Sequence, residues 1–310
     1  MRTESYMKYG PLFSFFKTFD GLTIRYAVRP CRPETKAGSI ILLGGRREFI
    51  EKYTETIAEL NGRHFDVYAM DWRGQGLSAR QLPNRHKGHV RSYDDYLDDL
   101  NRFLEQVVRP RAVSPCMILA HSMGGHIALR YLHDHPDRVD RAILTAPMID
   151  IATSPFRGRL IRVFSRLAVA AGLGKMYVIG SGDYRAHDQN FDGNRLTSDP
   201  QRFRDEQQAI AANPHLALGG VTYGWLKASL ESVDILKGVG YPEAVRTPVL
   251  IVGAGSDRVV SLTAQERICD RLPGGRVRVI PQARHEILKE TDRFRSIFWQ
   301  LFDRFIEPQQ

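Results

Sequence analysis

The sequence predicts an α/β protein: a mostly parallel central sheet flanked by helices, with a helical cap inserted after the sixth strand. Two observations carry that prediction. Short, near-continuously apolar runs alternate with longer stretches of helical periodicity, the pattern of parallel strands buried on both faces by crossover helices. The alternation stops near residue 150 and resumes near 239; between them helical segments follow one another without a convincing strand. The expected organisation is therefore a core of residues 1–150 and 239–310, with residues 151–238 as the cap.

In chain order, Ser39–Leu43 is a buried strand that ends in Gly44-Gly45, followed by a helix from about Ile50 to Leu60. Asp66–Met70 is the next strand. The loop Asp71-Trp-Arg-Gly-Gln-Gly-Leu-Ser78 leads to a helix over about Ser92–Val108. Cys116–Ala120 is a strand, Met123–His133 a helix and Arg141–Thr145 a strand. Helical patterns at Phe156–Ala171, Pro200–Ala212 and Gly224–Glu231 fill the insertion. Pro248–Val252 and Val277–Ile280 are late strands around a helix near Leu262–Arg271, and the last helix covers about Asp292–Phe305.

The chain has 310 residues, 43% of them hydrophobic, enough for a sizeable core in one large domain or two small ones. Its 3 cysteines, Cys31, Cys116 and Cys269, form no C-x-x-C pair and cannot close a disulfide set. They read as reduced thiols, Cys116 buried in its strand, and favour a reducing compartment. The N-terminus lacks the apolar run and small-residue cleavage site of a secretory signal, and no apolar run is long enough to span a bilayer. Cytoplasmic residence is expected. The formal net charge of +9 favours anionic surroundings: phospholipid head groups, nucleic acid or acidic substrates. The arginines are scattered rather than blocked, and no nucleic-acid recognition motif is present, so nucleic acid is not expected as a partner.

The chemistry centres on Ala120-His-Ser-Met-Gly-Gly125. A strand that turns sharply into a helix holds its turn residue in a strained conformation at the carboxyl end of the sheet, and the turn needs small residues two positions to either side. Ala120 and Gly124 are those residues around Ser122; alanine replaces the usual first glycine. Serine needs a base, and the base an orienting acid, in the chain order Ser, Asp or Glu, His. Asp257 follows strand Pro248–Val252 and His285 follows Val277–Ile280, so both fall at strand carboxyl ends, as Ser122 does. Asp150, Asp234 and Glu286 are rival acids. His121 and His126 flank the turn too locally to act as base, and His86-x-x-His89 lacks further ligands for a metal. The backbone N–H groups of Met123 and Arg46 are the expected oxyanion donors, Arg46 by its position after Gly44-Gly45. These glycines do not continue into a phosphate-binding motif. They read as a turn that brings the Gly45 backbone to the substrate.

These segments resemble an α/β-hydrolase of the monoacylglycerol lipase and bacterial lysophospholipase group. The likeness rests on Ala120–Gly125, Asp71–Ser78, Leu144-Thr-Ala-Pro-Met148 and His285-Glu-Ile-Leu288, and extends to Gly88-His89, Tyr96-Leu-Asp-Asp99 and Thr222-Tyr-Gly-Trp225. The resemblance implies Ser122 as nucleophile, Asp257 as acid and His285 as base, acting without metal or organic cofactor on carboxylic esters of single-chain lipids. Many relatives carry His-Gly where this chain has Gly44-Gly45, which leaves the second oxyanion donor open. A short-chain esterase, thioesterase or peptidase on the same fold is the alternative, and a non-catalytic lipid-binding protein a further one. The cap supplies the apolar substrate candidates Phe156, Leu160, Phe164 and Trp225, beside Gly45 of the core. Arg157, Arg159, Arg162 and Arg166 interleave with the apolar residues of Phe156–Leu167. That stretch reads either as a helix packed on the sheet with solvated arginines, or as a basic amphipathic helix resting on an anionic membrane at the cytoplasmic face. Oligomeric state is not legible.

Overall fold

The computed structural model describes residues 12–32, 36–150 and 155–307; the side chains of 155–157 and 188 lie outside the description. Eight strands form one sheet: β1 Leu12–Lys17, β2 Thr23–Arg29, β3 Gly38–Leu43, β4 Phe65–Met70, β5 Cys116–His121, β6 Arg141–Thr145, β7 Val249–Ala254 and β8 Gly275–Ile280. Their order is β1-β2-β4-β3-β5-β6-β7-β8. β1 and β2 pair antiparallel, as do β2 and β4, and every other pair is parallel. β3, β4 and β7 are buried throughout, which is why they read as unbroken apolar runs.

The sequence reading did not single out β1 and β2. β1 is an edge strand exposed along most of its length, and its aromatic residues mimic no buried run. Counting these two, Arg141–Thr145 is the sixth strand, and the helical insertion follows it. The helices are α1 Thr54–Gly62, α2 Asp94–Phe103, α3 Met123–Asp134, α4 Pro155–Ala170, α5 Pro200–Ala212, α6 Tyr223–Leu236, α7 Leu262–Cys269 and α8 Asp292–Ile306. Two expected helices differ in their ends. Ile50–Tyr53 is a 3₁₀ turn before α1, and α2 passes into a π turn at Leu104–Val108. One core lies on the α2–α3 face of the sheet, around Ile118, Ile127 and Tyr96, and a second lies on the α1–α8 face, around Leu119, Phe298 and Phe302.

Within the insertion, α4 packs against α6. Gly158 and Ser165 are the buried positions of α4, while Leu160, Val163, Phe164 and Leu167 face solvent, Phe164 being 63% exposed. The apolar stripe of α4 therefore points outward, not onto the sheet. Cys31 and Cys269 are buried and Cys116 only partly so; all are free thiols. The expectation of a buried Cys116 fails because it is the first residue of β5, at the strand's open end.

Candidate active site

β5 delivers Ser122 at the junction with α3. Its backbone sits at φ 51° and ψ −115°, a left-handed conformation that non-glycine residues avoid at a cost of about 1–3 kcal/mol. The turn is pinned: Ser122 N–H donates to Thr145 O at 3.0 Å, and Ser122 O accepts from Met148 N–H at 3.0 Å. The need for a small residue at 124 is visible. A Cβ there would stand 2.6 Å from Gly44 O and 2.7 Å from Leu43 O, so α3 can approach β3 only with glycine.

His285 Nε2 lies 3.0 Å from Ser122 Oγ, and His285 Nδ1 lies 2.7 Å from Asp257 Oδ2. All three side chains are buried or nearly so. Burial pushes the Asp257 carboxyl upward, but the His285 hydrogen bond and charge, with the N–H groups of Val259 and Val260 at 2.7 and 3.0 Å, outweigh it and hold its pKa below the ordinary value. The carboxylate thus stays ionised opposite the imidazole. The rival acids are engaged elsewhere. Asp150 pairs with Lys237 at 2.5 Å, Asp234 with Arg162 at 2.9 Å and Glu286 with Lys52 at 2.6 Å.

The loop after β3 closes the other side. A Cβ on Gly45 would lie 3.1 Å from Ser122 Cβ, so this glycine backs directly onto the serine. Gly45 N–H is taken by the Glu48 carboxylate, whereas, among the described residues, the N–H groups of Arg46 and Met123 have no acceptor. Two groups hold the loop. Trp72 Nε1–H donates to Gly44 O at 2.8 Å, and Gln75 bridges Gly45 O at 3.2 Å and Arg47 N–H at 2.7 Å. Nothing in the composition of the Asp71–Ser78 loop signals this bracing role.

The His121 ring lies beside that of His285, ring centres 4.8 Å apart and planes tilted by 55°, and its Nδ1–H donates to Thr145 O at 3.0 Å. Burial, only partly offset by Glu48, lowers its pKa to about 4, so it is neutral near pH 7. His126 donates from Nδ1 to Met148 O at 2.9 Å and is held by Ser232 at 2.7 Å. His89 contacts Thr222 Oγ1 at 2.9 Å, at the cap of α6.

Of the substrate candidates, Gly45 lies at Ser122. Trp225 is buried at the start of α6, with the Arg46 guanidinium 5.7 Å from its ring centre. Leu160 and Phe164 lie on the solvent face of α4, and the Phe156 side chain lies outside the described residues.

An eight-stranded, mostly parallel sheet with a serine at the β5–α3 turn and a histidine–aspartate pair on the loops after β8 and β7 defines an α/β-hydrolase. The chain belongs to the family described as Serine aminopeptidase, S33, which matches residues 34–292. It is similar to lysophospholipase L2 of Escherichia coli (strain K12), 37% identical over 93% of this chain and 87% of that protein. It is also similar to a probable lysophospholipase L2 of Haemophilus influenzae, 31% identical over 93% and 89%. Among solved structures, a soluble variant of monoglyceride lipase from Saccharomyces cerevisiae, in complex with a substrate analogue, shares the fold at TM-score 0.77 and 19% identity, over 97% of this chain and 96% of that one.

Proposed function

We propose that the chain is a serine hydrolase that cleaves the carboxylic ester of single-acyl lipids, lysophospholipid or monoacylglycerol. The observation that carries this reading is the unbroken hydrogen-bonded run from Ser122 Oγ through His285 to Asp257. In the proposed mechanism His285 Nε2 takes the Ser122 proton as Oγ attacks the ester carbonyl. Asp257 holds the Nδ1–H and steadies the imidazolium. The N–H groups of Met123 and Arg46 receive the oxyanion. The leaving alcohol takes the proton from His285, and water, activated by the same imidazole, releases the fatty acid from the acyl-serine.

The substrate class is supported by the lysophospholipase relatives and by residues of this chain. An aminopeptidase must hold a substrate ammonium, and a carboxylate usually does so. Here the loop at Ser122 presents Arg46 and Arg47, while Glu48 is committed to Gly45, Tyr53 and Lys52. Like charge there disfavours an ammonium group. We assign residues 151–238 as a cap over the carboxyl end of the sheet. Its outward stripe of Leu160, Val163, Phe164 and Leu167, edged by the exposed Arg159 and Arg166, fits an anionic bilayer surface. No helix among the described residues is long and apolar enough to cross a membrane; we assign the bilayer contact of this stripe as peripheral, on the cytoplasmic face.

The test is fatty-acid release from lysophosphatidylethanolamine, monoacylglycerol and short p-nitrophenyl esters by the wild type and Ser122→Ala. Long-chain turnover lost in the variant is the expected result. Turnover of short esters alone would leave the serine chemistry and remove the lipid assignment.

A further inference from the structure

We propose that the Arg46 and Arg47 guanidinium groups, on the loop whose Gly45 backs onto Ser122, form a binding site for the phosphate of the substrate's head group. The proposal rests on the ester-hydrolase reading above and selects between its two substrate classes. Both arginines follow Gly45, which backs onto Ser122. Arg46 is partly buried and uses one donor, to Gly219 O at 3.0 Å in the insertion, while its charge lies over the Trp225 ring. Arg47 reaches Gln189 Oε1 at 3.5 Å and lies over the Tyr184 ring at 5.9 Å. Among the described residues neither guanidinium has a carboxylate within 4.0 Å.

Other buried or half-buried arginines of the chain do carry counter-charges, although Arg80 and Arg141, like Arg46, bond only backbone carbonyls. Arg25 holds Glu51 and Asp71, Arg73 holds Asp99 and Asp20, Arg202 holds Glu55, Asp199 and Asp292, and Arg295 holds Glu55 and Glu59. Two adjacent cations without counter-charge repel each other, and burying them costs free energy that an anion would recover. Burial, with Arg47 second, lowers the Arg46 pKa to about 9. A guanidinium offers five N–H donors in a planar fork matched to phosphate oxygens, and most of these donors are unused here. The one carboxylate on this loop, Glu48, is turned to Lys52 at 3.0 Å and does not oppose the anion. The two arginines lie one and two residues beyond Gly45, which backs onto Ser122, and in a lysophospholipid a glycerol spacer separates ester from phosphate. A phosphate held by these arginines would set the ester over Ser122.

The experiment compares kcat/KM for a lysophospholipid and for the 1-acyl glycerol of the same chain length, in the full-length wild type, Arg46→Gln, Arg46→Lys and Arg47→Gln. The readout is the ratio of the two substrates, which cancels any general effect on the oxyanion loop. We expect the ratio to fall on the order of 10–100-fold in Arg46→Gln, the worth of lost charge-assisted hydrogen bonds, and less in Arg46→Lys, which keeps charge without the fork. Should Arg46→Gln fail to fold by thermal melting, the other two variants carry the test. A ratio unchanged in all variants overturns the proposal and leaves the hydrolase reading intact. A wild type that cleaves neither ester overturns both. Inorganic phosphate that slows monoacylglycerol turnover through Arg46, with the ratio unchanged, would identify a free-phosphate site and overturn the head-group assignment.

Discussion

At the scale of single residues, the site depends on a few positions where one atom too many breaks the geometry. Gly124→Ala puts a methyl against two backbone carbonyls of β3 and its loop, atoms that cannot swing aside. We expect a loss of about 1–3 kcal/mol in stability by chemical denaturation, with a drop in kcat as the oxyanion loop is pushed from Ser122. Asp257→Asn keeps the shape but removes the charge that fixes the His285 tautomer, so kcat should fall on the order of 10³–10⁴-fold. Asp150→Asn, whose partner is Lys237, should fall far less; steady-state kinetics on one ester separates the two acids. The convergence of Ser122, Asp257 and His285 was legible in the sequence because each sits at the end of a recognisable strand and their chain order matches the fold. The bracing by Trp72 and Gln75 was not, because nothing in a loop of that composition says which backbone carbonyl it will meet.

Single elements show where periodicity alone misleads. The α4 pattern has apolar residues at helical spacing, which usually marks a buried face. Here Gly158 and Ser165, flanked by the partly buried Ile161 and Val169, make the contact side, and Leu160, Val163, Phe164 and Leu167 face out. A helix that packs through small side chains reverses the usual inference, and only the neighbouring helix α6 decides it. If the outward stripe meets lipid, Phe164→Ser with Leu167→Ser should weaken co-sedimentation with anionic vesicles. Binding of the wild type should also fall as salt rises. Equal binding to neutral vesicles would remove the electrostatic part. β1 and β2 are hard to read for a related reason: β1 is a mostly exposed edge strand, and β2, although it buries Ile24 and Ala27, has its apolar run broken by Arg25 and Tyr26.

The whole molecule is tied across the site by one buried cation. Lys52 Nζ meets Glu48 at 3.0 Å, Glu206 at 2.8 Å and Glu286 at 2.6 Å, linking the loop after β3, α5 of the insertion and the residue after His285. Glu48 and Lys52 are an i,i+4 pair, but no sequence pattern announces Glu206 and Glu286, which lie 154 and 234 residues beyond Lys52. Lys52→Met would leave carboxylates buried without a counter-charge, a loss of about 3–5 kcal/mol measurable by denaturant unfolding. Burial, against the pull of Lys52, raises the Glu286 pKa to about 7 from 4.5. A carboxyl raised in the folded state binds more protons folded than unfolded between those values. Its stabilising contribution is therefore complete below about pH 4.5 and is lost as pH rises through 7. Glu286→Gln should accordingly shrink the difference in melting temperature between pH 6 and pH 8. An unchanged difference would mean that another member of the cluster titrates.

The central claim is that Ser122 is the residue that takes the acyl group. Labelling with a fluorophosphonate, followed by mass spectrometry of the digested protein, tests it without any assumption about head group or chain length. The account predicts one adduct, on the peptide containing Ser122, formed by the wild type and lost in His285→Ala. No adduct, or an adduct on another residue, would contradict it.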